Sequence, residues 1–213
     1  MEKRLEIEFN GVYGKYYITQ EDQIEVMKYR IALLICGISF TTGMFQWLII
    51  GGSLAWIWLI PMSVSLGFAL QWIHIYIKLL HRTLQFLWAI GSIGILILIL
   101  NGNSQELLLN ISSKPILTLL IGPYFAAMTG LGFKEFFCFQ RPEAIGLTLF
   151  IPIALGSHFL GILNNQSVMV LMLLSAILLL ILSLRKFGMD PASDIGDKSV
   201  FEHLKRQEKA ISL

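Results

Sequence analysis

The sequence predicts an all-α fold, a polytopic bundle of six transmembrane helices preceded by a short β-hairpin. Three observations predict it. The 213 residues are 55% hydrophobic and only 14% charged, whereas a soluble domain carries about a quarter charged residues. The apolar residues gather into blocks close to the roughly 20 residues that a bilayer-crossing helix needs. The basic residues fall almost entirely in alternate links between those blocks.

The elements follow in chain order. The first thirty residues are not apolar. LEIEFNGVYGKYYIT alternates in polarity and carries Asn10-Gly11, the favoured two-residue hairpin turn. Thr19 followed by Asp22 matches a helix-capping pattern, so QEDQIEVMKYR leads straight into the first span. Long apolar runs place the spans near 31–50, 54–77, 84–100, 115–133, 143–162 and 167–184. Prolines 61, 123 and 152 fall inside the second, fourth and fifth spans, where neighbouring helices can satisfy the backbone groups they free. The pairs Ser39/Gly43, Ser63/Gly67 and Ala126/Gly130 permit close helix contact. The predicted division is 1–30 for the hairpin and lead-in helix, 31–184 for the membrane domain and 185–213 for a tail. Asp190-Pro191 marks a break, and a solvated end is expected beyond it, although Phe201, Leu204 and Ile211 are spaced as on a short amphipathic helix.

Charge sets the predicted threading. Fifteen of the 16 Lys and Arg residues fall on one side of these six spans, and Lys114 is the exception. Positive residues are retained on the cytoplasmic side, so both termini are expected in the cytosol, or in the stroma of a plastid. No apolar signal sequence precedes residue 31, and the first span is expected to act as its own uncleaved anchor. Cys36 and Cys138 fall near span ends on the reducing side, where a disulfide is not expected. The net charge of +2 is too small to point to nucleic acid.

Candidate site residues come from GLGFKEFFCFQRPEAIGL, residues 130–147, where charges interrupt an otherwise apolar stretch. RPE reads as a helix start, with Pro142 at the first position and Glu143 complementing the helix dipole. Lys134 and Glu135 have two readings. In one they snorkel to the headgroups. In the other they form a partly buried charged site, because ionisable groups within spans are costly and often functional. Adjacent helical residues point about 100° apart, so each is expected to need its own partner. Ser63, Gly67, Gln71, His74, Lys78 and His81 recur at three and four residues along the predicted second helix. With Arg82, Gln85, Lys134, Glu135 and Arg141 at similar depth, they outline a basic, cytosol-facing pocket for an anionic head group or cofactor, with Glu135 as counter-ion. His158 lies near the opposite face and is expected to pack against a neighbouring helix or headgroups. His74, His81, Cys36 and Cys138 match no metal-binding spacing. No nucleotide-binding loop, HExxH or nucleophile elbow occurs, so no catalytic residue, metal or cofactor is assigned.

VYGKYYITQEDQIEVMKYR and GLGFKEFFCFQRPEA together resemble a family of uncharacterised integral membrane proteins of cyanobacteria and plant plastids. The resembling features are Tyr13 to Thr19, Glu21 to Arg30 and Gly132 to Phe139. The resemblance implies a photosynthetic setting in the thylakoid or plasma membrane and supplies no activity or catalytic residues. The favoured reading is a non-enzymatic factor that docks to, or helps assemble, a larger membrane complex. The alternatives are a transporter of a small anion or metabolite, and a membrane-embedded enzyme acting on a lipid or pigment precursor with His74 or His81 as acid-base groups.

Overall fold

The computed structural model describes residues 7–101, 107–200, 203, 204 and 206. Strands β1 (Ile7–Gly11) and β2 (Gly14–Ile18) form an antiparallel hairpin. Gly11 pairs with Gly14, so the turn falls on Val12-Tyr13 and not on Asn10-Gly11. The C-terminal segment explains the shift. Asp197 Oδ2 accepts from the Val12 N–H at 2.7 Å, and Ser199 Oγ accepts from the Tyr13 N–H at 3.1 Å. A Cβ on Gly11 would run into the Asp197 carboxylate, which requires glycine there.

Helix α1 (Gln20–Ile49) begins at the predicted capping box. Thr19 Oγ1 accepts from Asp22 N, and Asp22 Oδ2 accepts from Thr19 N. The lead-in and the first span are therefore one helix of 30 residues. A 3-10 turn at Ala55–Trp58 feeds α2 (Leu59–Trp72), and α3 (Lys78–Asn101) follows a non-helical corner. The short α4 (Leu107–Ser113) lies at the far end, away from the hairpin. Next come α5 (Thr118–Phe139), α6 (Pro142–Phe159), α7 (Asn165–Lys186) and the short α8 (Pro191–Ile195). As predicted, Arg141 caps α6 and Pro142 takes its first position. Gln140, at φ 51°, makes the tight corner before it.

Six helical segments are long and apolar enough to cross a membrane. Their outward faces carry exposed Ile35, Val64, Phe86, Ile93, Ile153 and Leu184, the surface that lipid tails cover. The spans form a closed ring in chain order: α1 packs on α2, α2 on α3, α3 on α5, α5 on α6, α6 on α7, and α7 back on α1. Across the ring, Tyr124 OH donates to Met62 O at 2.9 Å. Of the predicted small-residue contacts, Gly43 faces Trp58, Gly67 faces Trp88 and Gly130 faces Leu84. The tightest approach is elsewhere, where Gly91 and Gly94 of α3 lie against the Tyr124 and Leu120 backbone of α5.

Two expectations are corrected. The second helix stops at Trp72, with Ile73 extended at ψ 133°, so Lys78 and His81 belong to α3 and the long polar stripe is not a single helix face. The tail, expected to be solvated, folds back on the hairpin as far as His203, while Leu204 and Arg206 are exposed. Ile195 joins Ile18 and Val26 in a small apolar cluster beneath the hairpin, Ser199 is buried, and His203 stacks on Tyr13 with ring centroids 4.0 Å apart. Phe201 and Ile211 lie outside the described residues.

Candidate functional site

The charged groups at the hairpin end resolve into a buried cluster. Lys134 and Glu135 occupy the last turns of α5, and both are buried, Glu135 completely. Snorkelling to the headgroups does not describe them. Glu135 Oε1 accepts from Tyr29 OH at 2.7 Å and from Lys134 Nζ at 3.1 Å, and Oε2 accepts from Lys186 Nζ at 2.7 Å. The expectation of separate partners for Lys134 and Glu135 is thus half met. Each has other contacts, yet their side chains also bond directly beyond the reach of the Cβ directions.

Lys186, at the end of α7, joins the two carboxylates of the cluster. Its ammonium donates to Glu135 and to Asp194 of α8. It also sits 4.2 Å from the Phe139 ring centroid and 5.4 Å from that of Tyr29, and aromatic faces attract cations at such range. Asp194 in turn accepts from Arg30 through Nε at 2.9 Å and Nη2 at 2.6 Å. Arg30 Nη2 reaches on to the Asp190 carbonyl at 3.3 Å. Three cations therefore face two carboxylates, and each buried charge has a charged partner, the condition under which burial of ions is tolerated.

Local sequence explains the placement. The capping box starts α1 early enough to carry Tyr29 and Arg30 to the same depth as the end of α5. Asp190 caps α8 by accepting from Ala192 N at 2.9 Å, with Pro191 at its first position. That turns the chain back so that Asp194 faces the bundle. Gly196, at φ 73°, leaves the helix in a conformation that suits glycine and passes against the Tyr76 hydroxyl, which accepts from Asp197 N.

The other predicted site residues do not converge on this cluster. His81 Nε2 lies 2.6 Å from Leu70 O, so it caps the end of α2, with Gln85 donating to the same carbonyl at 3.3 Å. Gln71, Lys78 and Arg82 are exposed, and Arg141 serves as the cap of α6. Glu143 is buried and pairs with Arg185 at 3.0 Å. His74 is half-buried, with Nε2 3.8 Å from Glu25. His158 packs as expected against a neighbouring segment, its Nε2 3.0 Å from Ile111 O. Among the described residues no three His, Cys, Asp or Glu side chains form a metal-binding group. Cys36 and Cys138 are both free thiols.

Sequence reading flagged Lys134 and Glu135 but missed Tyr29, Arg30, Lys186 and Asp194 as their companions. Asp194 stands 164 positions from Arg30, and no local pattern links them. Lys186 was read only as one of many cations marking a membrane side.

Burial lowers the pKa of His74 below the ordinary value of 6.5, against the opposing pull of Glu25 and Asp22. The unfolded histidine therefore takes up a proton before the folded one does. Stability should fall as pH drops below about 6.5 and level off once the folded histidine is also charged. His74→Gln should flatten that slope in thermal melts between neutral pH and pH 5, and an unchanged slope would refute it.

Comparison with known proteins covers most of this architecture. A family model described as "Uncharacterized integral membrane protein (DUF2301)" matches residues 68–203. The matched stretch includes α5, α7 and α8, and so Glu135, Lys186 and Asp194, while Tyr29 and Arg30 precede it. An uncharacterized protein of Haemophilus influenzae is 31% identical over 131 residues, covering 61% of this chain and 66% of that relative, just under two thirds of its length. The cyanobacterial and plastid restriction is not carried by these matches. No solved structure matches.

Proposed function

The chain belongs to the DUF2301 family of uncharacterized integral membrane proteins, and on that premise we propose that it is a non-enzymatic factor that docks to, and helps assemble, a larger membrane complex. The observation that carries this reading is the use made of the charges. Arg30, Lys134, Glu135, Lys186 and Asp194 are spent on one another and tie the tail to the bundle. An anion-transport or acid-base site needs such groups turned toward a cavity, and the cavity at the far end of the bundle is lined by none of them. What the paired charges support is a rigid cap built from hairpin, α8 and tail, with Lys198 bonded to Asp22 at 2.7 Å. The cap presents exposed Val12, Tyr13 and Tyr17 for contact.

The distribution of basic residues supports placing this cap, with both termini, in the cytosol or stroma. The resemblance in Tyr13 to Thr19 and Gly132 to Phe139 supports a photosynthetic complex in the thylakoid or plasma membrane as the partner. The Haemophilus relative favours a broader role.

Affinity purification of the tagged full chain from its native membrane in mild detergent tests the reading. Defined partners should co-purify at constant ratio, and Val12→Asn with Tyr17→Thr, which remove the apolar contact surface without adding charge, should release them while leaving the thermal melt unchanged. Repeated recovery of the bare protein would overturn it.

A further inference from the structure

At the far end, remote from the charged cluster, α1, α2, α5, α6 and α7 enclose a cavity of about 270 Å³. Helix α4 covers it with Leu108 and Ile111. The walls are aromatic and sulfur-bearing: Phe40, Trp47, Trp58 and Phe125, with Met44, Met62, Met169 and Met172. Methionines adapt to irregular apolar shapes. Exposed Asn165 and Gln166 stand at one edge of the lining.

Among the described residues, a buried polar group in this wall lacks a partner. Thr118, 4% exposed, lines the cavity, and its Oγ1 is buried without a hydrogen bond. A buried hydroxyl left unpaired costs free energy comparable to a lost hydrogen bond, and threonines elsewhere in this bundle, such as Thr129 and Thr148, bond to the carbonyl four residues earlier. Thr118 is thus a residue of the wall with an unused donor.

We propose that this cavity binds an apolar-chain molecule drawn from the bilayer, and that Thr118 Oγ1 donates to a single carbonyl oxygen on it. The apolar walls take the chain, the hydroxyl fixes its depth, and the amides of Asn165 and Gln166 meet the polar end at the membrane surface. A glycerolipid ester and an isoprenoid quinone share this chemistry. The cavity is separate from the cap, so this site stands whether or not the docking reading does.

The experiment uses the full chain in nanodiscs of ether-linked phosphatidylcholine, whose chains carry no carbonyl and so do not compete for the proposed hydrogen bond. One arm contains phosphatidylcholine with a diazirine in its acyl chain, the other a diazirine-bearing isoprenoid quinone. After irradiation, labelled peptides are mapped by mass spectrometry as the probe fraction rises. Labelling of the peptides that carry Leu108–Ser112 and Met169–Met172 should saturate in at least one arm, and that arm identifies the source. Labelling of the lipid-facing Ile93 and Leu96 should rise linearly. Ser39→Phe, which fills the cavity, should cut the saturable labelling at least fivefold. Ile153→Phe on the outer face should not. Thr118→Val should weaken the saturable component severalfold while leaving a diazirine alkane unaffected. Linear labelling of the cavity peptides in both arms would overturn the proposal, and this readout in the unmodified protein does not depend on any variant folding.

Discussion

Lys186→Met is expected to destabilise the protein by about 3 kcal/mol, the lower end of the cost of breaking a buried ion pair, because each carboxylate keeps another cation. The substitution keeps the volume of the side chain and takes away the ammonium that Glu135 and Asp194 share. Glu135 retains Tyr29 and Lys134, and Asp194 retains Arg30, so each carboxylate keeps part of its compensation. The shared charge is nevertheless gone from a place that water does not reach. Unfolding of the purified protein in bicelles, followed against denaturant, measures the loss. Adding Glu135→Gln to Lys186→Met should lower stability further, because the buried Lys134 then loses its carboxylate partner. A Lys186→Met protein within about 1 kcal/mol of the parent would show that the cluster does not hold the tail. Limited proteolysis gives a second reading: with the α7–α8 connection loosened, cleavage between residues 188 and 200 should accelerate.

Gly91→Leu should cost about 3 kcal/mol or more, at the upper end for overpacked sites. The reason is the backbone on the other side. A Cβ at residue 91 would overlap the Tyr124 nitrogen and Cα, and one at Gly94 would overlap the Leu120 carbonyl. Backbone of a packed helix cannot swing aside as the tip of a flexible side chain can, so α3 and α5 must separate. Tyr124 would then lose its bond to Met62 O, and α2 would feel the change as well. Gly122→Ala is the control, since nothing lies within 4 Å of that position. Loss of a monodisperse peak in size exclusion for Gly91→Leu, with Gly122→Ala unchanged, is the expected result. Equal behaviour of the two would contradict the contact.

The membrane fold was legible because its cause is local. Each span is an apolar run of sufficient length. Thr19 with Asp22 announce a helix start through bonds to nearby backbone, and Pro142 with Glu143 announce another through proline at the first position and an acid in the first turn. Failures came where a distant partner decides. Nothing in WIHIYIK marks a stop, since the stretch holds neither glycine nor proline. The break after Trp72 is held by His81 capping Leu70 and by Tyr76 meeting the tail. The hairpin turn moved two residues for the same reason, because Asp197 and Ser199 supply acceptors that no window around Asn10 contains. Lys134 and Glu135 stood out as charges inside an apolar stretch, with snorkelling and a buried site both open, because the groups that neutralise them arrive from α1, α7 and α8.

The ring of spans closes between α1 and α7, where Thr41 Oγ1 donates to Ala176 O at 3.0 Å and Gly37 lies close to the Leu180 backbone. Its first and last members therefore meet only after every intervening span has left the ribosome and entered the bilayer. Until then the inner flank of α1 faces lipid or helper proteins, and Arg30 waits for an aspartate translated 164 residues later. The bundle therefore closes late, and α8 with the segment that follows it seats only once α7 is in place.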